Sequence, residues 1–415
     1  MTEMTKQHDF SSNGIIVMLG CFDTKGEDFM FLRSCILELG VKVLSINTGV
    51  LGTTDQFAVD LEAEEVAAAT GVNLSELREC GDRGRAIEKM GHGAALVLKR
   101  LLSQTKVIGI IGMGGGGGTY IALAAMQSIP FGIPKLCLST VATKDLSRQI
   151  GSKDITLMPS IVDVAGLNSI SRTLIRQAAG AICGMVNSSI VEQPQTSGSI
   201  VISIFGNTTA CVDKCSEILR TKGYEVLTFH AVGVGGRTME SLVLEGCFDA
   251  VLDITTTELA DDLCDGICSA GPDRLTAAAK MGIPQLVVPG CLDMVNYGHI
   301  DTVPEPYKSR QLYSWAPDVT LMRTNKEENK ILGARLAKKL NKSKGKVTIL
   351  LPLKGLSTIG SDGGVFHNPE IDKVLFEAIK DNANRSIKII EVDARINDGS
   401  FAERSVKVLL DMIRK

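Results

Sequence analysis

The residues best suited to chemistry lie in one stretch, Gly112-Met113-Gly114-Gly115-Gly116-Gly117-Gly118-Thr119. Glycines at nearly every position let successive backbone N–H groups converge on one point. The stretch follows Val107–Ile111, an apolar run that reads as a buried strand, and precedes a helix expected over Tyr120 to Ser128. A strand, a glycine turn and a helix N-terminus in that order can wrap a phosphate: the N–H groups donate, and the helix end carries partial positive charge. Thr119 is placed to cap the helix and to donate to a phosphate oxygen. Gly112, Gly114 and Gly117 formally satisfy G-x-G-x-x-G, but no acidic residue stands about 20 positions on to hold a dinucleotide ribose. No Lys-Ser/Thr pair follows the last glycine, which excludes a Walker A loop. An anion or nucleotide loop is the favoured reading, and a flexible turn is the plain one.

Other strand ends would gather at the same edge of a parallel sheet. Asp23-Thr24-Lys25, Asn47-Thr48-Gly49 and Ser139-Thr140 supply a carboxylate for Mg²⁺, a lysine for phosphate and several hydroxyls. Arg83, between Asp82 and Gly84 at a helix start, supplies another cation. A second group lies further on. His230 precedes a glycine loop, Gly233-Val234-Gly235-Gly236-Arg237, and Glu240 follows one turn later. Glu258 and Asp261 lie about one helical turn apart on one face, and Arg274 follows Gly271-Pro272-Asp273. Together these residues could make a general acid–base site with an anion clamp. The plain alternative is a hydrogen-bonded structural cluster.

The elements that must position these residues are legible. Ile15–Leu19 is a strand. Thr24 and Glu27 have capping-box spacing, and Phe29, Leu32, Ile36 and Leu39 recur at helical intervals up to Gly40, a helix stop. Val41–Ile46 is the next strand, completing a βαβ unit. The grammar returns at Gly198: strand Ser199–Ile204, loop Gly206–Thr209, a helix to Gly223, strand Val226–Phe229. Gly132-Ile133-Pro134-Lys135-Leu136 is echoed by Gly282-Ile283-Pro284-Gln285-Leu286. Extra helical sequence is expected over Phe57 to Gln104. Lys346–Leu351 and Ile387–Val392 read as strands, Ile371–Ile379 and Phe401–Ile413 as helices. The prediction is an α/β protein of two Rossmann-like subdomains, 14–192 and 198–415, with mostly parallel sheets and a possible internal duplication. Residues 1–13 are expected to be a polar, disordered N-terminus.

Composition excludes other classes. The chain has 415 residues, 44% hydrophobic and 22% charged, so wholesale disorder is excluded. Its net charge of −3 gives no global field for DNA or anionic membranes, and 4% aromatics is poor for base-stacking platforms. No apolar run is long enough for a membrane span and no signal peptide is evident, so a cytoplasmic location is expected. The 11 cysteines include no C-x-x-C and read as buried thiols.

With these residues in view, the chain resembles the ATP-binding domain family found in the N-terminal half of tomato's tobamovirus-resistance protein and in many bacterial and fungal proteins. The resemblance runs from Ile15 to Phe401 and is most specific in Gly132–Thr140, Asp154–Ser171, Phe229–Met239 and Leu252–Ala260. It implies two Rossmann-like subdomains, a homodimer, and ATP with Mg²⁺ in the first subdomain. It places nucleotide contacts on Asp23, the Thr48 region, Arg83 and Gly114 to Gly117. The chain departs from the family pattern at Gly116, often serine in relatives, and at Lys144, often smaller. It departs again at Trp315, Gly360 and Arg395, where His, Asp and His are common. The domain is often fused to, or encoded beside, a TIM-barrel protein, which implies such a partner and small-molecule catabolism.

The expectation is therefore a Mg-ATP-binding protein, with Gly114 to Gly118, Thr119, Ser139 and Thr140 joining Asp23, Thr24, Lys25, Thr48 and Arg83 around the nucleotide. An ATP-dependent enzyme of small-carboxylate or sugar catabolism, with an unidentified second small molecule between the domains, is the leading form. A non-catalytic ATP-binding module and a nicotinamide-dependent oxidoreductase are the alternatives. Adenine is expected on aliphatic side chains, with Phe22 the nearest aromatic.

Overall fold

In the computed structural model, strands alternate with helices along the chain, as the sequence grammar requires. It describes residues 14–188 and 196–414; the expected N-terminal segment, 1–13, and most of the junction between the domains lie outside them. The chain divides into two compact units, residues 1–192 and 193–415.

The first unit holds strands β1 (Ile15–Gly20), β2 (Lys42–Asn47), β3 (Val107–Gly114), β4 (Lys135–Ser139) and β5 (Ile155–Pro159) in one parallel sheet, order β2-β1-β3-β4-β5. Chain direction across the sheet reverses between β1 and β3, and in open α/β sheets ligands bind beyond the strand ends at that reversal. Alternate side chains of each strand serve opposite faces. Val17, Leu19 and Ile110 meet residues of helices Ala63–Ala68, Arg83–Gln104 and Gly116–Met126. Ile16, Met18 and Ile111 meet helices Phe22–Glu38 and Ser169–Asn187. Burial on both faces is why these strands read as unbroken apolar runs.

The second unit begins with β6 (Ser199–Ile204), β7 (Glu225–His230), β8 (Ala250–Thr255) and β9 (Gln285–Gly290). Three strands, β10 (Met294–Tyr297), β11 (Leu312–Ala316) and β12 (Val319–Arg323), then form a separate antiparallel sheet, which the sequence reading did not anticipate. Strands β13 (Val347–Pro352) and β14 (Lys388–Val392) complete a parallel sheet of order β14-β13-β9-β8-β6-β7. Counting only the strands of this sheet in chain order, it repeats the 2-1-3-4-5 order of the first sheet and adds a sixth strand. The Gly132 and Gly282 echoes lead into β4 and β9, the fourth strand of each unit, and both glycines have left-handed φ, +85° and +72°.

Several boundaries differ from expectation. The first helix starts at Phe22, with Cys21 at its cap, and is interrupted by non-helical backbone at Lys25, so the Thr24–Glu27 box is not formed. The stretch 57–104 resolves into three helices, Ala63–Ala68, Leu74–Cys80 and Arg83–Gln104. Among the described residues no helix is long and apolar enough to cross a membrane. Most of the cysteines are buried.

Candidate functional site

The glycine run is mostly a helix start rather than a loop. Gly112 and Gly114 belong to β3, Gly115 caps the following helix in extended backbone, and Gly116 to Gly118 form its first turn. The helix therefore begins four residues before the expected Tyr120. Its first N–H groups, at Gly116, Gly117 and Gly118, precede the first intrahelical bond, from Thr119 N–H to the Gly115 carbonyl at 2.8 Å. A Cβ at Gly112 would lie 2.6 Å from Ala122 Cβ, so this glycine serves close strand–helix packing. A Cβ at Gly116 would meet nothing within 4 Å, so this position has room for a side chain.

These N–H groups border a cavity of about 730 Å³ beyond the ends of β1, β2 and β3, at the reversal point of the first sheet. Of the expected nucleotide residues, Asp23, Thr24, Lys25, Thr48, Arg83, Gly115, Gly116, Gly117, Gly118 and Thr140 line it. Gly114, Thr119 and Ser139 do not. The Thr119 hydroxyl lies 2.6 Å from Ser139 Oγ and 3.3 Å from the Gly114 carbonyl, and Ser139 Oγ accepts the Val141 N–H at 3.0 Å. Both hydroxyls are thus committed inside the fold, and the capping and phosphate roles expected of Thr119 are corrected accordingly. Phe22 is also corrected: it is buried against Phe29 and Phe57, away from the cavity. Lys144 is exposed but lies outside the lining.

The lining has two chemistries. Leu77, Ala86, Ile87, Met90, Met113 and Ile121 form an aliphatic wall. Against it stand the helix N-terminus, Lys25, Arg83 and Asp23. Lys25 donates to the Val164 carbonyl. Arg83 is the first residue of its helix, where Asp82 accepts the Arg85 N–H at 3.0 Å, and it pairs with no carboxylate among the described residues. Asp23 Oδ2 accepts the Leu51 N–H at 2.9 Å, while its buried Oδ1 has no partner. A Cβ at Gly49 would lie 2.3 Å from that carboxylate, so a side chain there would displace Asp23 from its present position. Asn47, fully buried, ties the strand ends together: its Oδ1 accepts the N–H groups of Phe22 at 3.2 Å and Gly49 at 2.9 Å. Sequence reasoning passed over Asn47 as a positioning residue. It also missed the wall residues and Asp163, which the fold brings from distant segments.

The second group assembles differently. Arg274 is fully buried, and all five of its N–H donors are used. They reach Glu258 at 2.5 Å, Asp253 at 2.7 and 2.6 Å, Glu240 at 3.3 Å and the Thr255 carbonyl at 3.1 Å. Glu258 also accepts the N–H groups of Gly233 at 2.7 Å and Gly236 at 3.1 Å. The anion that the second glycine loop would attract is thus the protein's own carboxylate. A Cβ at Gly236 would lie 2.1 Å from Glu258 Oε2. Glu240 caps the helix Ala277–Met281 by accepting the N–H groups of Leu275, Thr276 and Ala277 at 2.6, 3.0 and 2.7 Å. Asp261 is bound by Cys268 N–H and by Asn296, and burial pushes its carboxyl up to about 7. His230 is exposed at the end of β7 and outside this network. The expected acid–base site is therefore not built: the carboxylates are buried and satisfied by Arg274, the Asn296 amide and backbone N–H groups.

Of the three positions marked as departures in the C-terminal third, Trp315 lies in β11, Gly360 in the loop that follows β13 and Arg395 in the turn that follows β14. Trp315 lies within 3.9 Å of a Cβ at Gly206, a Cβ at Gly360 would sit 2.0 Å from Asp293 Oδ2, and Arg395 pairs with Asp362 at 3.6 Å.

Comparison with known proteins fits this two-unit architecture. Residues 14–190 match the N-terminal domain, and 198–413 the C-terminal domain, of the Uncharacterised protein family (UPF0261). A UPF0261 protein of Clostridium tetani is 44% identical over 97% of this chain and 100% of its own length. One from Rhizobium meliloti is 40% identical over 96% of this chain and 98% of its own. The ToMV resistance protein Tm-1(GCR237) of Solanum lycopersicum is 34% identical over 98% of this chain, which corresponds to 56% of that longer protein. Matched in both halves and aligned along nearly its whole length with such relatives, this chain belongs to the UPF0261 family.

Proposed function

We propose that the first unit binds ATP as its Mg²⁺ complex. The observation that carries the reading is the junction of β3 with the helix Gly116–Met126, whose free N–H groups face a nucleotide-sized cavity at the sheet's reversal point. Gly115 to Gly118 would hold phosphate oxygens through backbone N–H groups, and Lys25 and Arg83 would balance their charge. The aliphatic wall of Leu77, Ile87, Met90, Met113 and Ile121 would take the base. Its lack of aromatics supports a site in which adenine is packed rather than stacked. The residues also fit a divalent ion: Asp23 Oδ1 is a buried carboxylate oxygen without a partner, the donor type Mg²⁺ takes. When bound, the ion would neutralise phosphate charge.

The proposal concerns binding. The nicotinamide alternative lacks support here, because β4, the strand after the glycine turn, ends in Ser139-Thr140 with no carboxylate for a ribose. Calorimetry with Mg-ATP, with NADH as the competitor, tests the reading. Saturable Mg-ATP binding at or below millimolar nucleotide is the expected result; its absence, or preference for NADH, refutes it. Following ATP consumption with candidate sugar acids separates an enzyme from a binding module.

A further inference from the structure

Asp163 stands in the wall of the same cavity, and its presence there needs an explanation. Asp82 also lines it but is engaged as a helix cap, its Oδ1 accepting the Arg85 N–H at 3.0 Å. Apart from Asp23, the remaining polar lining is suited to an anion: helix N–H groups, Lys25, Arg78, Arg83 and hydroxyls. Two carboxylates in such a site repel phosphate unless a cation lies between them. Asp23 Oδ1 is buried without a partner. Asp163 Oδ1 accepts the adjacent Val164 N–H at 2.9 Å, and no partner is found for Oδ2 among the described residues.

The backbone is bent to put Asp163 there. Ile161, just past β5, has φ +62°, a left-handed conformation costly for a β-branched residue. Its side chain is 76% exposed, so burial does not offset the strain. The turn is closed on both sides. Val162 N–H donates to the Ser160 carbonyl at 2.6 Å, and the Ser160 hydroxyl donates to the Val162 carbonyl at 2.6 Å. Ser160 N–H is anchored to the Ser139 carbonyl at 3.0 Å, and Lys25 binds the Val164 carbonyl. The segment is thus clamped between the end of β4 and the residue two positions after Asp23. Strain retained on an exposed, clamped turn is the kind of outlier that marks a functional position.

We propose that Asp163 is the second carboxylate of a divalent-cation site shared with Asp23, so that the protein selects the metal–triphosphate complex over free nucleotide. The proposal rests on the nucleotide reading of this cavity. Among the described residues no group of three or more His, Cys, Asp or Glu side chains is arranged to hold a metal. Mg²⁺ needs no such group: it commonly takes one or two carboxylates and completes its shell with phosphate oxygens and water.

The test uses the full chain and Asp163→Asn. Asp163 is exposed, so the variant is expected to unfold at the wild-type temperature. ATP binding is measured by calorimetry in EDTA and in excess Mg²⁺, and Mn²⁺ binding in the presence of ATP by electron paramagnetic resonance. In the wild type, metal is expected to strengthen ATP binding. In Asp163→Asn that gain falls by about tenfold or more, the lower end of what even a supporting group is worth at a metal site. Binding in EDTA stays the same or improves, because a repelling charge is gone. An unchanged metal gain in the variant overturns the proposal. ATP binding of equal strength with and without metal in the wild type also overturns it, while leaving the nucleotide reading intact. No nucleotide binding under either condition overturns both.

Discussion

Gly115→Asp separates folding from binding, because the two should move in opposite directions. Gly115 has φ −78° and ψ −164°, extended backbone open to any residue, and a Cβ there meets only Thr140 Oγ1, at 3.7 Å. An aspartate at this cap can accept the N–H groups of the first turn and complements the helix dipole. Stability should therefore hold or rise by a few tenths of a kcal/mol over glycine. The same carboxylate fills the position proposed for phosphate. Two unit charges about 5 Å apart at an effective dielectric constant near 20 repel by ~3 kcal/mol, and an open cavity screens part of that. A loss of about 10- to 100-fold in Mg-ATP affinity follows, at ~1.4 kcal/mol per tenfold. Gly115→Ala adds bulk without charge and should bind nearly as the wild type does. Calorimetry and thermal unfolding on the three proteins decide the matter. Equal affinity in wild type and Gly115→Asp, with all three folded, would refute the argument that this helix end holds an anion.

Other outcomes follow from the packing. Gly112→Ala should cost about 1–3 kcal/mol in thermal or denaturant unfolding, since its Cβ would lie 2.6 Å from Ala122 Cβ. Arg274→Leu leaves Asp253, Glu258 and Glu240 buried without their shared cation, and should cost about 3–5 kcal/mol in the second unit; a near-neutral result would show that those acids are already neutral. Asp261 titrates near 7 in the fold against 3.8 in the unfolded chain. Its contribution is therefore complete below about pH 4 and lost as pH rises through 7, with a slope of at most ~1.4 kcal/mol per pH unit. Denaturant titrations at pH 5 and 7.5 should show this loss, reduced in Asp261→Asn. Burial lifts Asp372 to about 6, so some of the dependence should survive that substitution.

The legible parts of the site were those made by neighbours in sequence. A strand, glycines and a helix start need only local backbone preference, so the phosphate end of the cavity could be read directly. Helix stops at Gly40 and Gly223 were legible for the same reason, and both have left-handed φ. The second glycine loop shows where local reading stops. Gly233-Val234-Gly235-Gly236 has the same local grammar, but Glu258, 22 residues beyond Gly236, occupies its N–H groups. Whether a loop's donors are free or already taken depends on which strand lies beside it. Boundaries also slipped where glycines form a helix's first turn, because glycine has poor helix propensity and tertiary packing overrode it.

The amino-acid sequence alone determined the alternation of strands and helices, the echo between the two halves and the position of the glycine turn, because periodicity and backbone preference act over a few residues. The tertiary structure decided which polar groups face open space. It turned Thr119, Ser139 and Phe22 into the interior, surrounded Arg274 with acids, and brought Asp163 from beyond β5 into the cavity with Asp23. Exposure and partnership are properties of strand order, and strand order is set by the burial of the whole sheet rather than by any one of its segments.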